Sequence, residues 1–370
     1  MLRTRTGMSS SPSAPSIDPL AAEVVEADDE TLAFYALSTL RGWGDGLPVV
    51  APTEERVRAT LAATPYHADD VIAALPPSGN EATVELAAIN AVLAGTAPEA
   101  FPLVVAALEA IGVPAFNAFA LTTTTSSVHP ALIVNGPSRD RLGIDYGPGC
   151  MGGAGGRGSM TIGRAVSLCL RNIGGQRVGV NSKSVFGQPA RTGLCFGEWE
   201  ERSPWAPLST RLGFAPGDDV VTVHGSKGTF PMADINNDDA RDLAYLLAKT
   251  IAFPLSNLYL TPTGANGQMV VAVNPIWADR FADAFGPAER FQEYLWEHCW
   301  QPISLWPGPN QEVLERNGRV GEGGKVRLVE RPDQLVPIVC GGLGSLHAIC
   351  LPSWGESEMQ SVAAVHAGAR

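Results

Sequence analysis

The chain is short of several things at once, and each shortage removes a class of function. Its six cysteines stand far apart, at 150, 169, 195, 299, 340 and 350, with no Cys-x-x-Cys pair and no zinc-ligand spacing. Its six histidines form no His-x-His or His-Glu-x-x-His pattern, so no metal site is assigned. Charged residues make up only 17% of the sequence, and bases are outnumbered: Lys and Arg total 26 against 38 Asp and Glu, for a net charge of -12. An acidic chain with no basic stripe is a poor partner for nucleic acid or an anionic membrane. No stretch approaches the roughly 18 uninterrupted apolar residues of a membrane span. Arg3 and Arg5 are followed by no apolar run, so no secretory signal is expected. The expected setting is the cytoplasm, where isolated cysteines are reduced thiols.

What the sequence has in quantity is glycine, 40 residues, and proline, 29, within a chain that is 45% hydrophobic. Such composition predicts many tight connections between short elements around a sizeable core. At 370 residues the chain exceeds the roughly 250–300 at which single cores stop growing. We therefore expect a disordered tail over 1–20, then one large domain or two intertwined lobes over 21–355 with a division near 210–235, and a C-terminal tail over 356–370.

The patterning predicts helices over 22–40, from Thr53, over 83–93, 98–111, 157–172, 237–251, 277–285 and 288–298. It predicts strands over 71–75, 119–125, 131–134, 220–223, 269–273, 335–339 and 348–351, and a mobile loop over 308–332. Strands and helices mix without strict alternation and no sequence period repeats. The fold class expected is α/β or α+β, a mixed sheet with packed helices and irregular Gly/Pro-rich connections.

Three segments carry candidate chemistry. The first runs from Gly147 to Arg164, with eight glycines in eighteen residues, and leads into a helix. Bare backbone amides, a helix N-terminus and the charges of Arg157 and Arg164 suit a small anion or a developing oxyanion, with Gly155 at the centre of the loop. The alternative is a tight connection packed on other backbone. Cys150 in the same loop is a candidate nucleophile or a packed small residue. It is not a Walker A loop or a dinucleotide fingerprint. The second segment is Cys195-Phe-Gly-Glu-Trp-Glu-Glu201, where Glu198 beside aromatics is a candidate general acid or base, or part of a solvated acidic turn. The third is Cys340-Gly-Gly-Leu-Gly-Ser-Leu-His347, in which Cys340 or Ser345 with His347 forms a candidate pair, or the whole is a Gly-rich hairpin.

Several segments taken together resemble a known family. Gly44-Asp-Gly-Leu-Pro-Val, the stretch from Ala82 to Gly95, Val134-Asn-Gly-Pro, Thr161-Ile-Gly-Arg-Ala, Arg171-Asn-Ile-Gly-Gly, Phe186-Gly-Gln-Pro and Ser203-Pro-Trp are similar to motifs of the bacterial UGSC (seleno)protein family, over roughly residues 40–300. The family is named for a Sec/Cys-Gly-Ser-Cys motif that this chain lacks. The resemblance marks Asp45, Asn135, Arg164, Gln188 and Trp205 as lying in shared motifs. It implies that any redox partner is a separate thiol or selenol protein.

The reading that follows is a soluble enzyme acting on a small anionic substrate, lyase- or hydrolase-like. Arg157, Arg164, Asn135, Asp45 and Gly155 would bind the substrate, and Glu198, Cys150, Cys340 and His347 would carry the chemistry. The alternatives are a thiol-dependent oxidoreductase subunit and a non-catalytic binding subunit. A homo-oligomer is expected, and no cofactor is assigned.

Overall fold

The computed structural model describes residues 2–4, 21–25, 31–152, 155–252, 267–354 and 356–368. Strands β1 (Leu2–Thr4) and β2 (Glu23–Val25) pair in parallel, ahead of helices α1 (Thr31–Arg41) and α2 (Glu54–Leu61). The hairpin of β3 (Val71–Leu75) and β4 (Asn80–Thr83) leads into α3 (Val84–Ala94) and α4 (Phe101–Gly112). Thr83 caps α3 by accepting from the Leu86 amide at 3.2 Å, and Gly95 ends it in the left-handed region. Helix α3 is apolar on every side because it is buried on every side.

After α5 (Ala118–Thr123) come β5 (His129–Asn135), α6 (Ser138–Leu142), α7 (Arg157–Asn172), β6 (Leu194–Gly197), α8 (Leu208–Arg211) and β7 (Val220–Ser226). Strand β8 (Phe230–Ala233) and α9 (Ala240–Ala252) precede β9 (Met269–Val273), α10 (Pro275–Phe285) and α11 (Ala288–His298). A small sheet of β10 (Trp300–Pro302), β11 (Val320–Gly321) and β12 (Lys325–Arg327) surrounds α12 (Gly308–Arg316). The chain closes with β13 (Leu335–Val339), β14 (His347–Pro352) and β15 (Gln360–Ala363).

The two large sheets are built to one plan. The first is ordered β15-β7-β5-β6, and the second β8-β14-β9-β13. In each, the central strand pairs in parallel with its later neighbour and antiparallel with the next, which in turn takes an antiparallel outer strand. The outer strands are exchanged. Strand β8 follows β7 but joins β14 in the second sheet, and β15 follows β14 but joins β7 in the first. The chain thus crosses between sheets at residues 227–229 and returns after 352, which interlocks the halves. Ser226 and Ser353 meet in a bridge where the two crossings pass.

Period-2 alternation decides the layers. On β5, Leu132 and Val134 face a core shared with α3, α4 and α7, whereas Ala131 and Ile133 face a second core. On β9, Val271 and Val273 pack on α9, α10 and α11, whereas Val270 and Ala272 enter that same second core. The sheets therefore lie face to face between two helical layers, and Phe196, Ile338 and Leu351 fill the space between them. This is a mixed α and β fold, with all seven residues of β5 buried.

Some local expectations are overturned. Residues 119–123 are helical, part of α5, because the Thr cluster turns back on the chain: Thr122 and Thr123 hydroxyls donate to the Phe119 carbonyl, each at 2.9 Å. The helix expected over 22–40 begins instead as strand β2, with helix α1 at Thr31–Arg41 and residues 26–30 outside the described residues. The segment 308–332 holds α12, β11 and β12. Residues 360–363 of the expected C-terminal tail form β15, an ordered edge strand. The expected tail over 1–20 lies, apart from residues 2–4, outside the described residues. No single helix among the described residues is long and apolar enough to cross a membrane.

Candidate functional site

Both parallel strand pairs end on a polar step. Extending the register of β5 with β6 by one residue sets Asn135 beside Glu198, and extending β9 with β13 sets Asn274 beside Cys340. The two steps have diverged. At the first, Asn135 donates to Glu198 at 2.7 Å and to Glu200 at 2.9 Å, and the Leu208 amide donates to Glu198 at 2.7 Å. Arg139 is held against Glu201 at 2.7 Å and Glu200 at 3.3 Å. This end is closed by its own side chains. Burial raises the pKa of Glu198, partly offset by Arg211 and the bonds it accepts. Glu198 and Asn135 are buried and tie β6, β5 and α8 together, away from the two cavities described below.

The second step opens. A cavity of about 520 Å³ lies beyond the ends of β9 and β13, between the loop 148–152 and the loop 340–344. Asn274 caps α10 by accepting from the Trp277 amide at 3.0 Å and donates to the His347 carbonyl at 2.7 Å. The Trp277 indole donates to the Ser345 carbonyl, which fastens the second glycine-rich loop. The two loops meet where the Gly341 amide donates to the Tyr146 carbonyl at 2.7 Å. A methyl group on Gly342 would stand 3.2 Å from the Pro148 ring, so the two loops pack closely there.

Cys150 and Cys340 share this cavity, with His347 on its wall. The two cysteines belong to one buried cluster, close enough for each thiol to shift the other's pKa. That proximity and the backbone at Gly341 outweigh burial and lower the pKa of Cys150. The same proximity, with burial, pushes Cys340 well above the ordinary thiol range. The two thiols are thus shifted in opposite directions, Cys150 down and Cys340 up. The other four cysteines are buried and made inert by it: Cys195 is pushed up to about 12, and Cys169, Cys299 and Cys350 are raised further. No protein-family model, curated protein or solved structure matches the chain.

The expected anion-binding residues do not join them. Asp145 accepts from the Gly156 amide at 2.7 Å, and its own amide donates to the Ser159 hydroxyl at 2.8 Å, so a carboxylate of the chain already occupies the start of α7. Gly155 and Gly156 are there for close packing: a Cβ on Gly156 would fall 1.9 Å from the Gly143 carbonyl oxygen. Arg157 donates to the Gly95 carbonyl at 2.9 Å, closing the end of α3. Arg164 grips Asp45 through two bonds of 2.8 Å and donates to the Pro48 carbonyl at 3.0 Å. The 147–164 loop therefore divides. Its first part lines the cavity, and its second part is the tight connection that was the alternative reading. Ser345 does not line the cavity, and among the described residues no group of three His, Cys, Asp or Glu is placed to hold a metal ion.

Asn274 was missed from the sequence, although Asn before Pro275 at the end of an apolar strand is an N-cap signal. The meeting of Cys150 with Cys340, 190 positions apart by their numbers, carries no local signal at all.

Proposed function

We propose that the protein is a thiol-dependent oxidoreductase in which Cys150 attacks and Cys340 resolves. The observation that carries this reading is that Cys150 and Cys340, 190 positions apart, line one cavity and lie close enough to shift each other's pKa in opposite directions. In the reaction, the Cys150 thiolate attacks one sulfur of a small disulfide R–S–S–R′, forming a mixed disulfide and releasing R′–S⁻. Cys340 then loses its proton and attacks the Cys150 sulfur, releasing R–S⁻ and leaving a Cys150–Cys340 disulfide. The substrate gains two electrons and the protein dithiol loses them. The Cys340 proton passes to solvent in the cavity, on whose wall His347 also stands. A separate thiol or selenol protein, as the family resemblance implies, returns the electrons. The six reduced cysteines fit a cytoplasmic setting.

The lyase or hydrolase reading needed Arg157 or Arg164 in one pocket with Glu198 or His347. Both arginines are engaged in holding α7 to its neighbours, and Glu198 is enclosed, so the thiol reading is preferred. The test uses an aromatic disulfide that releases a coloured thiolate. Native protein is expected to release two thiolates per chain and carry no label afterwards. Cys340→Ser protein is expected to release one and retain the mixed disulfide at Cys150. Equal release from native and Cys150→Ser protein would reject the assignment.

A further inference from the structure

A second cavity, about 550 Å³, lies at the other end of the strands, where β5 begins, under the far half of α7 and the loop 186–192. Its walls concentrate positive charge in a chain whose net charge is -12. Arg171 and Arg191 line it, and Arg177 stands near enough to Arg171 for their charges to repel. Among the described residues none of the three has a carboxylate within ion-pair distance. The one acid on the wall, Asp45, is bonded to Arg164 and reaches Arg171 only through its charge, beyond ion-pair distance. Arg191 makes a single neutral contact, to the Ser182 hydroxyl at 2.8 Å.

Buried donors here are left over. Arg171 Nε and Arg177 Nη1 are buried with no hydrogen-bond partner. His129, on the same wall and only 3% exposed, has neither ring nitrogen within hydrogen-bond geometry of a partner, though the Ser226 backbone lies near enough to favour its charged form. A folded chain seldom abandons buried guanidinium and imidazole groups, and a cluster of them around a cavity is completed by what enters it. Leu121, Val128, Leu168 and Leu170 are among the apolar side chains that line it, beside the amides of Gln176 and Gln188.

We propose that this cavity binds a small organic oxyanion, a carboxylate or phosphate on an apolar body, with Arg171 and Arg191 gripping the charged end and His129 bonding beside it. Two arginine forks facing one cavity suit a group with two or three equivalent oxygens. The apolar side chains suit the remainder of such a molecule. The site is separate from the thiol pair and does not depend on its chemistry.

Isothermal titration of the whole protein with hexanoate and with inorganic phosphate tests this. Saturable binding of either is expected, hexanoate marking a carboxylate ligand and phosphate a phosphorylated one. Arg171→Gln and Arg191→Gln are each expected to weaken that binding by about tenfold or more, the usual scale for a lost charge-assisted hydrogen bond. Arg171→Lys is expected to fall between, and the unliganded melting temperature of every variant, read alongside, separates lost binding from lost folding. No binding of either probe to the native protein, or undiminished binding to both folded Gln variants, would overturn the proposal.

Discussion

At the scale of single residues, the same side-chain chemistry does different work according to what closes around it. Glu198 and Cys340 occupy matching positions at the ends of parallel strands, yet one is sealed in by Asn135 and Leu208 and the other opens on a cavity. Arg164 shows why a charged residue in a glycine-rich segment is an unreliable guide to a ligand. Burial alone would raise the pKa of Asp45, but the Arg164 fork more than offsets it and holds the carboxyl low. A two-bond fork is geometry that lysine cannot copy. Arg164→Lys is therefore expected to destabilise the fold by about 1–3 kcal/mol, the scale of a charge-assisted bond lost in a half-buried place. Thermal melting reads this, and thiol release per folded molecule should be unchanged.

At the scale of elements, helix α7 is positioned by what it lacks. A methyl group on Gly163 would come 2.8 Å from the Leu194 amide and 3.1 Å from the Gly193 carbonyl carbon, so the helix packs directly on the backbone at the start of β6. In an exposed helix, Gly→Ala gains about 1 kcal/mol from propensity. Here overpacking against backbone is expected to win, costing about 1–3 kcal/mol, so Gly163→Ala should lower the melting temperature. The elements themselves were largely legible: the periods over 71–75, 157–172, 269–273 and 335–339 match β3, α7, β9 and β13. They were legible because each carries its own period and its own stop signals. Residues 119–123 were misread because Phe and Thr favour strands locally, while side-chain-to-backbone bonds from Thr122 and Thr123 favour a helical turn. Of the site, the candidates Cys150, Cys340 and His347 do share a cavity, but nothing local in either loop foretells their meeting. Arg157 and Arg164 were misread because their partners, Gly95 and Asp45, lie far back in the sequence.

At the scale of the whole molecule, two sheets of one design exchange their outer strands and enclose a common layer. The repeat is invisible in the sequence because the facing positions need only be apolar, and the two halves fill them with different residues. The layer also holds polar groups under constraint. Burial lowers His224 to about 4, partly offset by the Leu351 carbonyl, and burial with the charges of His224 and Arg191 lowers His129 to about 3. The folded protein keeps both neutral, whereas the unfolded chain takes up protons once the pH falls below the ordinary value of 6.5. Stability is thus fully present above that pH and is lost on acidification, at up to about 1.4 kcal/mol per pH unit for each histidine. Denaturant unfolding at pH 7 and pH 5 is expected to show the loss. In His224→Gln protein, which keeps a donor for Leu351, the loss should be about half as large. An unchanged slope would show that His224 is not held neutral.

The central claim is that one thiol of six is set apart by its partner. Alkylation of native protein with a limiting amount of iodoacetamide, mapped by mass spectrometry across a pH series, tests it most directly. Cys150 is expected to be modified first, its rate to titrate below that of an ordinary cysteine, and Cys340→Ser to shift this titration upward. Modification beginning at Cys169, Cys195, Cys299 or Cys350, or a Cys150 titration indifferent to Cys340→Ser, would contradict it.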